Sequence, residues 1–302
     1  MKTAPQIKAG PTIGVLGGTG RFGAPFIRTF MALGIGVRIL ARSPGRVAGC
    51  FPGAVVQPGS MLDEAAVSRT LKGAAAAFLM TPVGGRDDTR IEEQAARTAI
   101  RAARTTGLPH LLYVSLIQPG PPTGVPMLDV KAMIERRIAA SGIPWSGLRT
   151  GCYMDAWLDF FPLGMRLGLY LFPIRSRYRF SFTSEPDVAR VVALLLQRGR
   201  ILNDSVDVID PRARTLQDVV ALHTRISGRC LRPLGRWLLP LLKILRPTLF
   251  WWCFPTGASR VGLFDYFNRH DWTGNPERLT RELPGFEPTS MAEHIRHRCR
   301  QS

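Results

Sequence analysis

Seven residues near the start of the chain, Gly17-Gly18-Thr19-Gly20-Arg21-Phe22-Gly23, constrain the fold more than any other part of it. They follow a short apolar run, Thr12–Leu16. They open an amphipathic stretch with Phe26, Ile27 and Phe30 on one face, which predicts a helix over 22–33. A strand that enters a helix through a glycine-rich turn is what a phosphate-binding βαβ unit requires. Gly17 permits the tight turn, Gly20 lets backbone approach a pyrophosphate, and Gly23 lets the helix pack closely on the strand. The free N–H groups at the helix start then face the phosphates. Gly17, Thr19, Gly20, Arg21, Phe22 and Gly23 are therefore expected to contact a dinucleotide.

The rest of the first half repeats the same alternation. Short apolar runs at 37–40, 54–57, 74–80, 111–115 and 145–148 read as strands. The stretches 89–106 and 128–141 read as helices, the first with Ile91, Ala95, Ala99 and Ala102 at helical spacing. Strands alternating with helices imply crossover connections and a parallel sheet covered on both faces. The class is α/β, a parallel Rossmann sheet. After about residue 150 the alternation weakens and aromatics, prolines and arginines become dense. A further strand is expected at 206–209 and a helix from Thr215, its N-cap, to about 226. This predicts a nucleotide-binding domain over 1–150 and a smaller mixed substrate-binding or lid domain over 151–302.

The end of the second strand selects the cofactor. An acidic residue there would bind the ribose 2′-OH of NAD(H), and none is present. Arg42 stands in its place, followed by Ser43. A guanidinium pairs with a 2′-phosphate, so NADP(H) is favoured over NAD(H).

Composition narrows the alternatives. With 45% hydrophobic and 21% charged residues in 302, a full core is available. The net charge of +18 comes chiefly from 35 arginines spread through both halves, so no dedicated arm for nucleic acid is indicated. Five cysteines at wide spacing, without a C-x-x-C, exclude a disulfide scaffold or zinc ribbon and fit a reducing cytosol. The polar start, residues 1–11, lacks the apolar centre of a signal peptide. No apolar run is long enough to span a membrane.

The order GGTGRFG, VRILARSP, YVSLIQPG, then Lys131 within DVKAMIERRIAASGIPWSGLRTGCYMDAW, resembles the NmrA-like atypical short-chain dehydrogenases/reductases. The segments 215–229 (TLQDVVALHTRISGR) and 265–295 resemble that family's C-terminal part, so the likeness runs from Thr12 to about Ile295. It implies a Rossmann fold, a preference for NADP(H), and either a reductase or a redox-sensing regulator that binds the dinucleotide without turning it over. By the same resemblance, Ser60 and Met61 lie near adenine. Thr81 and Pro82 flank the pyrophosphate or nicotinamide ribose, and Gly151 and Tyr153 border the nicotinamide. Ser115 matches the serine ending the fifth strand, and Lys131 the lysine of Tyr-x-x-x-Lys; these two are the expected catalytic residues. The tyrosine of that pair is replaced by Met127, which carries no exchangeable proton. Hydride transfer to a conjugated acceptor, governed by cofactor geometry, then fits better than tyrosinate chemistry.

The second half supplies the expected pocket. Phe160, Phe161, Tyr170, Phe172 and the tryptophans near 251 predict an apolar wall for a small hydrophobic substrate such as a quinone. The segment 231–254 interleaves basic residues with Trp237, Trp251 and Trp252. It reads as pocket or core, with peripheral membrane contact as the alternative. His294, His297 and Cys299 lack a further ligand at a defined spacing, so no metal site is expected. A partner protein is expected only on the regulator reading.

Overall fold

Seven parallel strands form the middle layer of the computed structural model, which describes residues 11–20, 23–81, 88–117, 122–158, 169–170, 177–229, 231–233 and 257–301. They are β1 (Thr12–Leu16), β2 (Gly36–Ala41), β3 (Val55–Pro58), β4 (Ala76–Leu79), β5 (Leu111–Leu116), β6 (Trp145–Thr150) and a last strand, Asp204–Val208. From one edge the spatial order is Asp204–Val208, β6, β5, β4, β1, β2, β3. The chain winds outward from β1 to β3, then returns to lay β4 on the other side of β1. The topological switch point therefore falls between β1 and β4, where open α/β sheets bind their ligands at the carboxyl ends of the strands.

Alternate residues of each strand feed two cores. Ile13, Val15, Val37, Ile39, Phe78, Leu112, Val114 and Leu148 face one side, packed by α1 (Ala24–Ala32), α2 (Pro44–Cys50) and the helices Glu185–Gln197 and Glu277–Glu282. Leu16, Leu40, Ala77, Leu79, Leu111 and Tyr113 face the other, packed by α3 (Glu64–Leu71), α4 (Asp88–Thr105) and α5 (Pro126–Ala139). Burial on both faces is why these strands read as continuous apolar runs. The helix starts are chemically marked. Pro25 and Pro126 occupy first turns, where a missing N–H costs nothing. Asp63 accepts from the amides of Ala65 and Ala66 at 3.0 and 3.2 Å. Thr215 and Asp218 form a reciprocal capping box, with Thr215 the N-cap that its sequence predicts.

Boundaries differ from expectation in physically simple ways. The first helix begins at Ala24, two residues later than its apolar pattern, with Gly23 as its N-cap. The helix expected over 128–141 begins two residues earlier, at Pro126. The strand expected over 206–209 spans 204–208 and pairs with β6 along its whole length. The second half thus completes the sheet of the first, and its helix Glu185–Gln197 packs on α1.

A third apolar cluster gathers beyond the carboxyl end of β5. Ile117, Val125, Leu128, Trp157, Phe180, Phe182, Phe264, Phe267 and Trp272 are its centre. Its rings meet edge-on or tilted, Trp157 and Phe182 at 4.7 Å and Phe180 and Phe267 at 5.2 Å. The Trp272 indole donates to the Ile117 carbonyl at 3.2 Å, which ties the cluster to the end of β5. No helix among the described residues is long and apolar enough to cross a membrane.

Candidate active site

The glycine loop leaves the end of β1 beside the end of β4. The Met80 amide donates to the Leu16 carbonyl at 2.9 Å. Gly17 has φ +86°, and a Cβ built there would stand 1.8 Å from the Met80 carbonyl oxygen. No side chain fits, so the turn and the approach of the two strand ends depend on this glycine. A Cβ on Gly23 would lie 2.4 Å from the Gly18 carbonyl oxygen, which is the close helix–strand packing expected of it. Gly20 behaves differently. It is exposed, and nothing lies within 4 Å of the position a Cβ would take. Among the described residues nothing fills that space, and Thr19 is exposed next to it. Arg21 and Phe22 lie outside the described residues.

Beside this loop stands a buried polar triad. Thr81 stands two residues past β4, Lys131 projects from α5 and Glu92 from α4. Lys131 Nζ donates to Thr81 Oγ1 at 2.8 Å and lies 2.5 Å from Glu92 Oε1. Thr81 Oγ1 donates in turn to Glu92 Oε1 at 2.5 Å. The three residues are 1–2% exposed. Behind them, Lys131 Nζ lies 5.8 Å from the centroid of the Tyr113 ring. The Tyr113 hydroxyl is buried beside Thr81 without a hydrogen bond of normal geometry. Burial, and then the charge of Glu92, push its pKa well up, so it is a neutral phenol. The structure thus brings Thr81 and Lys131 together, two residues the sequence marks separately. Pro82 lies outside the described residues.

Glu92 carries no motif, yet the sequence holds a signal for it. The periodic face of α4 was expected to contain Ile91. Ile91 is 42% exposed, and the buried face carries Glu92, Ala95, Ala96, Ala99, Ala102 and Ala103. Ala95, Ala99 and Ala102 are buried as their spacing predicts, and at the start of the stripe the inward position belongs to Glu92 rather than Ile91. An acid on an alanine stripe needs a buried cation, and Lys131 supplies it.

The remaining expected residues divide by environment. Arg42 and Ser43 are exposed at the end of β2; Ser43 is the N-cap of α2, but its hydroxyl makes no capping bond. No carboxylate engages Arg42 among the described residues. The Met61 sulfur sits 3.4 Å from the Cβ position of Gly17, against the glycine loop. The Ser60 hydroxyl accepts from the Leu62 amide at 3.2 Å and shapes the entry to α3. Ser115 is fully buried and its hydroxyl has no hydrogen-bond partner. The Gly151 amide donates to Thr183 Oγ1 at 2.8 Å, and a Cβ there would lie 2.3 Å from the Ser181 carbonyl oxygen. That packing alone demands a glycine. Tyr153 lies edge-on to Phe26 of α1 at 6.2 Å, with its pKa pushed up by burial.

Met127 is half-buried against the third apolar cluster, with Leu116 and Tyr266. Tyr266 comes from the helix Gly257–Phe267, which packs on α5. Burial, and then the charge of Asp129, raise its pKa. The apolar wall described here comes from Trp157, Phe180, Phe182, Phe267 and Trp272. Tyr170 joins it with its hydroxyl on the Trp157 carbonyl at 2.8 Å, while Phe160, Phe161, Phe172, Trp251 and Trp252 lie outside the described residues. His294 pairs with Asp155 at 3.0 Å, and no metal-binding cluster occurs among the described residues.

The chain is similar to known proteins in sequence and in fold. Over 203 residues the chain is 30% identical to a (4-alkanoyl-5-oxo-2,5-dihydrofuran-3-yl)methyl phosphate reductase of Streptomyces griseus, covering 65% of this chain and 67% of that one. It is 26% identical to Quinone oxidoreductase 2 of Escherichia coli, over 94% of this chain and 98% of the relative. The fold matches the crystal structure of a triphenylmethane reductase of Citrobacter sp. complexed with NADP(H). The TM-score is 0.76 and the identity 16%, with 95% of this chain and 99% of that one covered. The family model that matches residues 10–255 covers both the glycine loop and the buried triad, and the chain belongs to the NmrA-like family.

Proposed function

We propose that this protein is an NADPH-dependent reductase of a hydrophobic, conjugated or aromatic acceptor such as a quinone. The observation that carries the reading is the position of the Lys131–Thr81–Glu92 triad. Its Thr81 neighbours Met80, which meets the glycine loop at the switch point, and its Lys131 stands on α5, whose first turn faces the apolar cluster. The residues present fit a dinucleotide, because among the described residues none fills the space beside Gly20 and no carboxylate engages Arg42. The loop from Gly17 to Gly23 would hold the pyrophosphate. Arg42 and Ser43 would hold the 2′-phosphate, and the Lys131 ammonium a ribose hydroxyl. When bound, NADPH supplies the hydride.

The rest follows from the protein's own side chains. Lys131 has three N–H donors, and two are engaged by Thr81 and Glu92. It acts as a fixed charge that orients the nicotinamide end. Met127 and its apolar neighbours exclude water and take the flat face of the acceptor. No phenol stands at position 127 to protonate an alkoxide. A conjugated acceptor tolerates that, because its reduced anion is delocalised, far less basic than an alkoxide, and takes its proton from solvent. The relatives named as a reductase and a quinone oxidoreductase, and the charge of +18, which draws an anionic cofactor, support the same reading.

Met127 also favours a second reading, a regulator that binds the dinucleotide and a partner protein without turnover. One experiment separates the two. NADPH is mixed with the purified chain, its bound fluorescence recorded, and a series of quinones and triphenylmethane dyes added. A bound signal that decays with any of them supports the reductase. A constant bound signal across the series overturns it in favour of the regulator.

A further inference from the structure

We propose that Glu92 is a positioning residue for the cofactor, holding the Lys131 ammonium charged and in place and acting only through it. The inference rests on the NADPH reading above. Glu92 and Lys131 project from α4 and α5 and meet at 2.5 Å, with side chains 1% and 3% exposed. An ammonium so buried stays charged only beside a counter-ion. Among the described residues Glu92 is the carboxylate that pairs with it. Thr81 locks the pair, accepting from the lysine and donating to the glutamate, so each polar group fixes the rotamer of the next. The Tyr113 ring stands behind the ammonium at 5.8 Å, within the range of a cation–π contact. The lysine thereby keeps one N–H for a ligand. Its position relative to the glycine loop is set by Thr81, whose neighbour Met80 touches Gly17.

A buried ion pair that merely supports the fold would look the same in a static structure, so the test must read the cofactor. The full chain is titrated with NADPH, by fluorescence, as wild type, Glu92→Gln, Glu92→Asp, Lys131→Met and the double variant Glu92→Gln/Lys131→Met. Thermal melting checks that each is folded. Glu92→Gln is expected to weaken NADPH binding about tenfold or more, and Glu92→Asp, which keeps the charge, by about threefold or less. The double variant is expected to bind as Lys131→Met does, within about twofold, because Glu92 has nothing left to act through. Three results overturn the inference: Glu92→Gln binding like wild type, Glu92→Asp falling as far as Glu92→Gln, or losses that multiply in the double variant. If Glu92→Gln does not fold, Glu92→Leu/Lys131→Met replaces the pair with apolar side chains of similar size, a change that buried ion pairs often tolerate. It should then match Lys131→Met, and weaker binding than that overturns the inference. A wild-type chain that binds no NADPH overturns the functional reading itself, and this inference with it.

Discussion

At Gly17 the turn has room for a hydrogen and nothing more. A methyl group there meets the Met80 carbonyl oxygen at 1.8 Å in a backbone conformation of φ +86° that alanine resists. Gly17→Ala is therefore expected to separate the ends of β1 and β4, lowering stability by about 1–3 kcal/mol and abolishing NADPH binding. Melting and fluorescence titration of the same sample check both. Gly20→Ala makes a sharp contrast, since its Cβ meets nothing among the described residues. It should melt like wild type and lose only cofactor affinity. Arg42 gives a second test at this scale. Arg42→Asp should weaken NADPH binding by at least tenfold, the loss of a charge-assisted pair of about 1.5–3 kcal/mol, and leave NADH binding nearly unchanged. Equal loss of both cofactors would remove Arg42 from the 2′-phosphate site.

At the scale of elements, α4 shows how one apolar residue at a helix start draws attention from the buried acid beside it. Its alanine stripe lies close against α3 and α5, while Ile91 points outward. Ile91→Lys is expected to change stability by less than about 0.5 kcal/mol. Ala99→Leu, at a site 1% exposed, is expected to cost about 1–3 kcal/mol by overpacking. Urea unfolding of the two variants decides which face is buried. The outcome bears on the site, because Glu92 reaches Lys131 only if the alanine face is the inner one.

The whole molecule carries a pH dependence that no single element reveals. His110, at the entrance to β5, is buried with its ring on the Ser146 hydroxyl at 2.8 Å. Burial lowers its pKa from 6.5 to about 4. The imidazole is neutral in the folded chain and takes up a proton on unfolding below pH 6.5. Its contribution is fully present above 6.5 and is lost as the pH falls from there through about 4. The loss amounts to roughly 3 kcal/mol. Asp155 adds to it at the acid end. His294 and then Arg298 on the C-terminal helix hold its carboxyl below the ordinary range, so its share is lost only as the pH drops below about 4. The melting temperature should therefore fall between pH 6.5 and 4, and His110→Asn should flatten that slope while leaving the acid end steep. An unchanged slope in the variant would assign the dependence to other groups.

The sequence by itself determined the α/β class, the crossover pattern and the glycine turn, because each is written in short-range spacing: a strand's apolar run, a helix's period, a residue without a Cβ. It also marked Thr81 and Lys131, though as separate positions. That they touch, that Glu92 joins them and that Asp204–Val208 completes the sheet emerges only on folding. Those contacts join residues from 11 to 58 positions apart. Helix phase and sheet order, neither fixed by local spacing, bring them within reach, and a buried charge then selects its partner by distance rather than by motif.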